Sequence, residues 1–439
     1  MKIPVCAIFD IGKTNKKLFL FNENYEIVLE KSTQFQEIQD EDGFPCEDVN
    51  LLKKWVLASF EEVSILEEYN IRALNFSTYG ASFVHVNEDG ETVAPLYSYL
   101  KPYPEYLRKQ FYDTYGGESE FTQKTASPIL GSLNSGMILY RLKYENPSLF
   151  AQIKYSLHLP QYVHLLFTGD FYSDITSIGC HTNLWDFEKN QYHEWVEKEG
   201  ILEKLSPISS KPSVLNYSEN KSFKIGTGLH DSSAALIPYL ATFKEPFVLI
   251  STGTWCISLN PFNHIPLTTN ELAQDCLAYM QYTGRPVKAS RLFAGNEHEE
   301  QIKRLAVHFQ KPNDYFKTVK YRFESIGKLD SENTSFAERD LGIFETYEDA
   351  YHQLISNIIE QQKTSTELVI YNTPVKQLFV DGGFGRNEIY MNLLVKAFPD
   401  MEIYAASVAQ ATSLGAALSI HQDWNTKEIA DNLIDLKRF

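Results

Sequence analysis

At 439 residues the chain exceeds one typical core and points to two domains. Forty Lys and Arg against 57 Asp and Glu give a net charge of −17, which excludes the concentrated basic surface of a nucleic-acid binder. A local nucleotide site is still compatible with that balance.

The five cysteines are scattered and form no CxxC pair, which argues against a disulfide framework or a zinc motif. Met1 to Phe9 is too short for a signal peptide, and no apolar run reaches the ~20 residues that span a bilayer. A cytoplasmic protein without membrane or nucleic-acid partners is expected.

In chain order, residues 4–10, 17–22 and 25–30 read as a β-meander. Leu51, Leu52, Trp55, Val56 and Phe60 set out a helix over 51–66. "IRALNFSTYG" reads as a strand, and "SFVHVNEDGETVAPLYSYL" as a hairpin turning at Glu88-Asp89-Gly90. Residues 135–144 and 146–153 read as helices, with Pro147 starting the second. From about residue 227, "GTGLHDSSAALIPYL" leads into a helix and "PFVLISTGTWCISLNP" repeats strand, glycine turn and strand. "KQLFVDGGFGRNEIYMNLLVKAF" gives strand, glycine loop and helix, and "QATSLGAALSIHQ" closes on a small-residue helix. The two halves thus look alike in architecture, though not in residues.

Four stretches can carry chemistry. In Asp10-Ile11-Gly12-Lys13-Thr14-Asn15, bare amides and side-chain donors can face phosphate oxygens, and Asp10 can hold Mg²⁺. A polar hairpin turn explains the same residues, and the Walker A spacing is absent. Ser251-Thr252-Gly253-Thr254 allows the same pair of readings. Asp381-Gly382-Gly383-Phe384-Gly385-Arg386-Asn387 follows an apolar strand and precedes a helix, a platform for a base or ribose. Its GGFG lacks the dinucleotide spacing of a Rossmann oxidoreductase. His230-Asp231 stands ahead of a small-residue helix, where Asp231 can cap the helix or accept a proton from an attacking hydroxyl.

Together, "DIGKTNKK", "HDSSAA", "ISTGTW", "VDGGFGRN" and "SLGAA" resemble, in register, the motifs of the FGGY carbohydrate kinases, within the sugar kinase, actin and heat-shock chaperone ATPase superfamily. The resemblance implies an α/β fold of two ribonuclease H-like, actin-like ATPase domains, 1–226 and 227–439, with ATP and sugar in the cleft between them. It makes Asp231 the base and Asp10 the metal-associated acid. Gly12, Lys13, Thr14, Asn15 and Lys17 then line one phosphate loop, Thr252, Gly253 and Thr254 the other, and Gly382, Gly383 and Asn387 border adenosine.

The sugar-reading segment "STYGASFVHV" looks most like that of rhamnulose kinases. Thr78, Tyr79, Gly80, Ser82, Gln161 and His230 are the candidate sugar contacts beside Asp231. Ser82, Lys101 and Gln161 depart from the acids and arginine common in the family, and His181 is unusual. The implied substrate is a small ketose, L-rhamnulose or L-fuculose before xylulose. A non-catalytic, nucleotide-dependent sensor on the same fold is the alternative. Assembly is left open, a homodimer among the options. Arg291, Asn296, Glu297 and His298 read as a cleft-side loop entering a helix.

Overall fold

The computed structural model describes residues 2–209, 211, 213–218, 221–323, 335–430 and 432–439. Ile3–Ile11 (β1) shows why the fold starts where it does. Val5, Ala7, Phe9 and Ile11 enter one hydrophobic cluster, while Cys6 and Ile8 enter another on the opposite face. A strand buried on both faces needs a continuous apolar run, and this one ends only at Asp10.

β1 pairs antiparallel with Lys16–Asn22 (β2), which pairs with Ile27–Thr33 (β3). On its other side β1 runs parallel to Tyr69–Thr78 (β4). Ser213–Ser218 (β5) and Lys221–Ile225 (β6) extend the sheet to the order β5-β6-β4-β1-β2-β3, with Leu229–His230 (β7) also on β4.

Helix Val49–Ser64 (α1) covers one face. Asp48 caps it by accepting from the Asn50 and Leu51 amides, and Leu52, Val56, Phe60 and Val63 point into the core. Each such buried side chain contributes about 1.5–3 kcal/mol. The expected stripe is displaced: Leu51 is exposed, because the helix starts at Val49 and turns that position outward.

The second sheet runs in the order β10-β11-β9-β8-β12-β13-β14. Its strands are Phe247–Thr252 (β8), Cys256–Asn260 (β9), Cys276–Met280 (β10), Pro286–Leu292 (β11), Gln377–Gly382 (β12), Glu402–Ser407 (β13) and Asp435–Arg438 (β14). As in the first sheet, antiparallel strands lie on one side of the first strand and a parallel strand on the other, although here β9 pairs with β11 and β10 takes the edge. Helix Tyr347–Ile370 (α5) packs Leu354, Ile355 and Ile358 against Val248, Ile250 and Val380.

The remaining site-bearing helices are Leu159–Thr168 (α2), Asp231–Thr242 (α3), Ala294–His308 (α4), Glu388–Ala397 (α6) and Ala411–Leu418 (α7). α3 and α7 bring Ala234, Ile237, Leu414 and Ala417 against Cys6, Ile8 and Phe19 of the first sheet. C-terminal chain thus packs on the middle of the first two N-terminal strands. One expected element changes partner: Phe83–Val86 pairs with Tyr155–His158, and only an isolated bridge joins Val86 to Thr92 across the Gly90 turn.

Candidate active site

The first hairpin closes with the Gly12 amide donating to Asn15 O at 2.9 Å. Thr14 and Asn15 are exposed at its tip. Asp10 Oδ2 accepts from Thr412 Oγ1 at 2.6 Å and from Ser413 Oγ at 2.7 Å, both at the start of α7. Burial raises the Asp10 carboxyl above its ordinary range, against the pull of these two hydroxyls. Among the described residues no hydrogen bond occupies Asp10 Oδ1, so the carboxylate keeps an oxygen for a cation.

Three lysines surround this turn, and they differ. Lys16 is 2% exposed, donates Nζ to Lys13 O at 2.8 Å and pairs with Glu47 at 3.1 Å. Lys13 pairs with Glu37 at 2.8 Å and with Glu47 at 3.6 Å. Lys17 stands directly across from Asp10 in the ladder, and its charge acts on that carboxyl. Residues facing each other across an antiparallel pair share a face, so Lys17 lies on the Asp10 side and Lys16 on the other.

The second hairpin repeats the closure, Gly253 N to Trp255 O at 2.9 Å. Thr252 ties it to the glycine loop: Oγ1 donates to Asp381 O at 2.6 Å and accepts from the Phe384 amide at 3.1 Å. Gly382 has φ +95°, and a Cβ there would stand 2.0 Å from Thr252 O, so only glycine allows the two loops to touch. Thr254 O accepts from the Asn296 amide at the start of α4.

Between these parts lies a cavity of about 570 Å³, lined by Thr252, Gly253, His298, Phe316, Gly383 and Asn387 among others. That size and its apolar walls suit a nucleoside. Asn387 also caps α6, accepting from the Ile389 and Tyr390 amides, and donates to Tyr351 Oη at 2.8 Å.

Asp231 is the first residue of α3 rather than its cap; the cap position is His230, whose side chain caps nothing. Asp231 Oδ1 accepts from Ser232 N at 2.6 Å and lies 3.2 Å from His230 Nε2. Burial lifts the carboxyl to about 6, while 32% of the side chain stays exposed. His230 is held down to about 3 by burial, so it is neutral at physiological pH. Its ring stacks on Tyr279 at 5.7 Å.

Gly80 lies against that ring: a Cβ there would meet His230 Nε2 at 2.8 Å. Thr78 pairs with His230 in the sheet, and the Tyr79 amide donates to Ile11 O at 3.1 Å. The end of the strand expected to read the sugar is therefore fastened to both the first hairpin and the Asp231 turn.

Gln161, Ser82 and Lys101, the three departures from the family pattern, each have partners within the protein. Gln161 is buried at the start of α2 and donates Nε2 to Thr227 O at 3.2 Å and Gly228 O at 3.0 Å. Ser82 is buried beside Tyr79. Lys101 Nζ pairs with Asp40 and Asp42 at 2.6 Å each. Of the cleft-side cluster, Arg291 is held by Asp275 and His298 lines the nucleoside-sized cavity.

Sequence reasoning missed Thr412, Ser413, Glu47 and Tyr99. Tyr99 lies 6.1 Å from Tyr79 with the two ring planes tilted by 60°, and it feels the Asp231 charge. The one available signal was a hydroxyl pair opening the small-residue helix α7.

Residues 5–230 match the model of the FGGY family of carbohydrate kinases, N-terminal domain, and residues 244–428 that of carbohydrate kinase FGGY, C-terminal domain. The chain is 20% identical to a rhamnulokinase of Oceanobacillus iheyensis over 448 aligned positions, covering 92% of this chain and 90% of the relative. Its fold matches a carbohydrate kinase from Novosphingobium aromaticivorans with a TM-score of 0.80 at 20% identity, covering 100% and 94% of the two chains. It matches Plasmodium falciparum glycerol kinase with ADP with a TM-score of 0.74 at 16% identity, covering 96% and 90%. The two matched domains account for nearly the whole chain, and the protein belongs to the FGGY family of carbohydrate kinases.

Proposed function

We propose that the protein transfers the γ-phosphoryl group of ATP to a hydroxyl of a small ketose, with Asp231 as general base. One observation supports the reading: the Asp231 carboxylate, partly exposed beside His230 and raised by burial to about 6, lies close enough for its charge to reach Asp10. Such a group is ionised at pH 7 and still basic enough to take the proton of an attacking hydroxyl. Positioning and charge stabilisation supply the rest of the rate in phosphoryl transfer.

Residues 1–226 would form the sugar domain and 227–439 the domain of base and nucleotide. The cavity beside Gly383 and Asn387 would take the adenosine, as ADP is present in the glycerol kinase neighbour. Gly12, Thr14 and Asn15 would meet the phosphates from one side, and Gly253 and Thr254 from the other. Asp10 would hold Mg²⁺, which neutralises phosphate charge when bound. Lys17, which pairs with Glu30 at 3.3 Å and stands across from Asp10, would assist.

Thr78, Tyr79, Gly80 and His230 would face the sugar. Motif likeness ranks L-rhamnulose and L-fuculose ahead of xylulose. The cysteines, all free and buried, support a reducing, cytoplasmic setting. A coupled ADP-release assay over a ketose panel with ATP and Mg²⁺ tests the reading. Sugar-dependent ADP release is expected, abolished in Asp231→Asn with ATP binding retained. A wild-type chain that binds ATP and releases no ADP with any ketose would instead be a nucleotide-dependent sensor.

A further inference from the structure

The loop after the short helix Ile175–Ile178 brings Cys180 and His181 up to the Asp231 turn. Cys180 Sγ lies 3.3 Å from His230 Nε2, and the same nitrogen lies 3.2 Å from Asp231 Oδ1. One donor atom each from Cys180, His181 and His230 falls within 4.8 Å of the other two. Among the described residues this is the only such group of His, Cys, Asp and Glu.

His181 is set up as a ligand. Its Nδ1 meets Leu133 O at 3.0 Å, which fixes the proton there and leaves the Nε2 lone pair free. Asn134 Nδ2 donates to its carbonyl at 2.8 Å, and its φ of +38° is unusual for a residue with a side chain.

We propose that Cys180, His181 and His230 form a site for a divalent cation of the zinc class, that Asp231, which lies 3.2 Å from His230 Nε2, completes it as the fourth ligand, and that its occupancy withdraws Asp231 from catalysis. Bond lengths of about 2.0–2.3 Å around a tetrahedral ion place neighbouring donors about 3.3–3.7 Å apart. Two of the edges, 3.3 Å and 3.2 Å, already stand close to that spacing. Thiolate and imidazole donors select zinc or cobalt over magnesium. The thiolate and carboxylate together cancel the charge of the dication, which a buried site requires. On binding, Cys180 releases its proton to solvent, and no oxidation state changes.

Fifty residues separate Cys180 from His230, so no motif spacing advertises the site. Its inhibitory consequence rests on Asp231 being the base, as proposed above; metal binding does not.

The test uses the metal-depleted chain and Co²⁺. A thiolate-to-cobalt charge-transfer band should grow to saturation at one equivalent. Cys180→Ser should abolish the band, and His181→Ala should weaken it, with the sugar-dependent rate of both variants preserved. In excess Mg²⁺, Zn²⁺ should inhibit the wild type reversibly by chelation, and each variant should need at least about tenfold more Zn²⁺ for half-inhibition. No band, a band that persists in Cys180→Ser, or equal inhibition of wild type and variants overturns the site. The spectrum needs no turnover, so a chain that phosphorylates no ketose overturns the functional reading while the band still decides the site.

Discussion

Asp231→Asn removes a charge while keeping the shape of the side chain, and it separates catalysis from stability. In the wild type, burial raises the carboxyl from 3.8 to about 6, so the folded chain holds this proton more tightly than the unfolded chain. Between those values the native state binds more protons. Stability therefore falls as pH rises through that window, and the full cost is present above about 6. At about 1.4 kcal/mol per pH unit, the gap sets a ceiling of about 3 kcal/mol. With 32% of the side chain open to water, screening reduces this to about 1–2 kcal/mol. The variant should thus be more stable than wild type by that amount at pH 7.5 and indistinguishable from it below pH ~4. Its turnover should fall by about 10²–10⁴-fold. Urea unfolding at the two pH values, with calorimetric ATP titration and initial rates, measures all three. A variant less stable at pH 7.5, or one that retains turnover, refutes the assignment of Asp231 as a buried base.

The remaining predictions concern the parts around it. In wild type, kcat/KM should lose about tenfold per pH unit as pH falls below about 6, because the base must be ionised; a flat profile down to pH 5 would oppose this. Lys16→Met leaves a Glu47 that is 5% exposed with only the longer 3.6 Å pairing to Lys13 and should cost up to about 3–5 kcal/mol in chemical denaturation, much of it recovered by adding Glu47→Gln. Gly382→Ala, which meets a backbone carbonyl at positive φ, should cost about 2–4 kcal/mol and weaken thermal protection by ADP. Gly80→Ala should push the His230 ring aside, lowering kcat while leaving the ATP affinity within about twofold.

Legibility followed the range of the interaction. β1, β2 and their glycine turn were readable because period and turn chemistry are local. The small-residue helix α7 was readable too, but its task was not: Thr412 bonds Asp10 across 402 positions of chain. For Gln161, sequence gives a place without a direction, and the fold turns its amide nitrogen onto two backbone carbonyls. Lys101 likewise found Asp40 and Asp42, a pairing that only the folded chain brings together. Asn387 carries two meanings at once. It borders the nucleoside-sized cavity, and it is also the cap that orients α6.

The lysines of the first hairpin show how far period alone can go when combined with register. From sequence, Lys13, Lys16 and Lys17 are equivalent candidates for a phosphate. Strand alternation divides the last two: Lys16 faces Ile11 and the core side, Lys17 faces Asp10. The buried lysine then needs an acid, and Glu47 supplies it while also meeting Lys13. Lys16 bonds the Lys13 carbonyl as well, so this pair fixes the turn rather than serving a ligand. A phosphate bound at the turn would add negative charge beside Asp10, where Lys17 is the cation already acting on that carboxyl. The loop's geometry and its charge thus come from different lysines, one in the core and one on the cleft face.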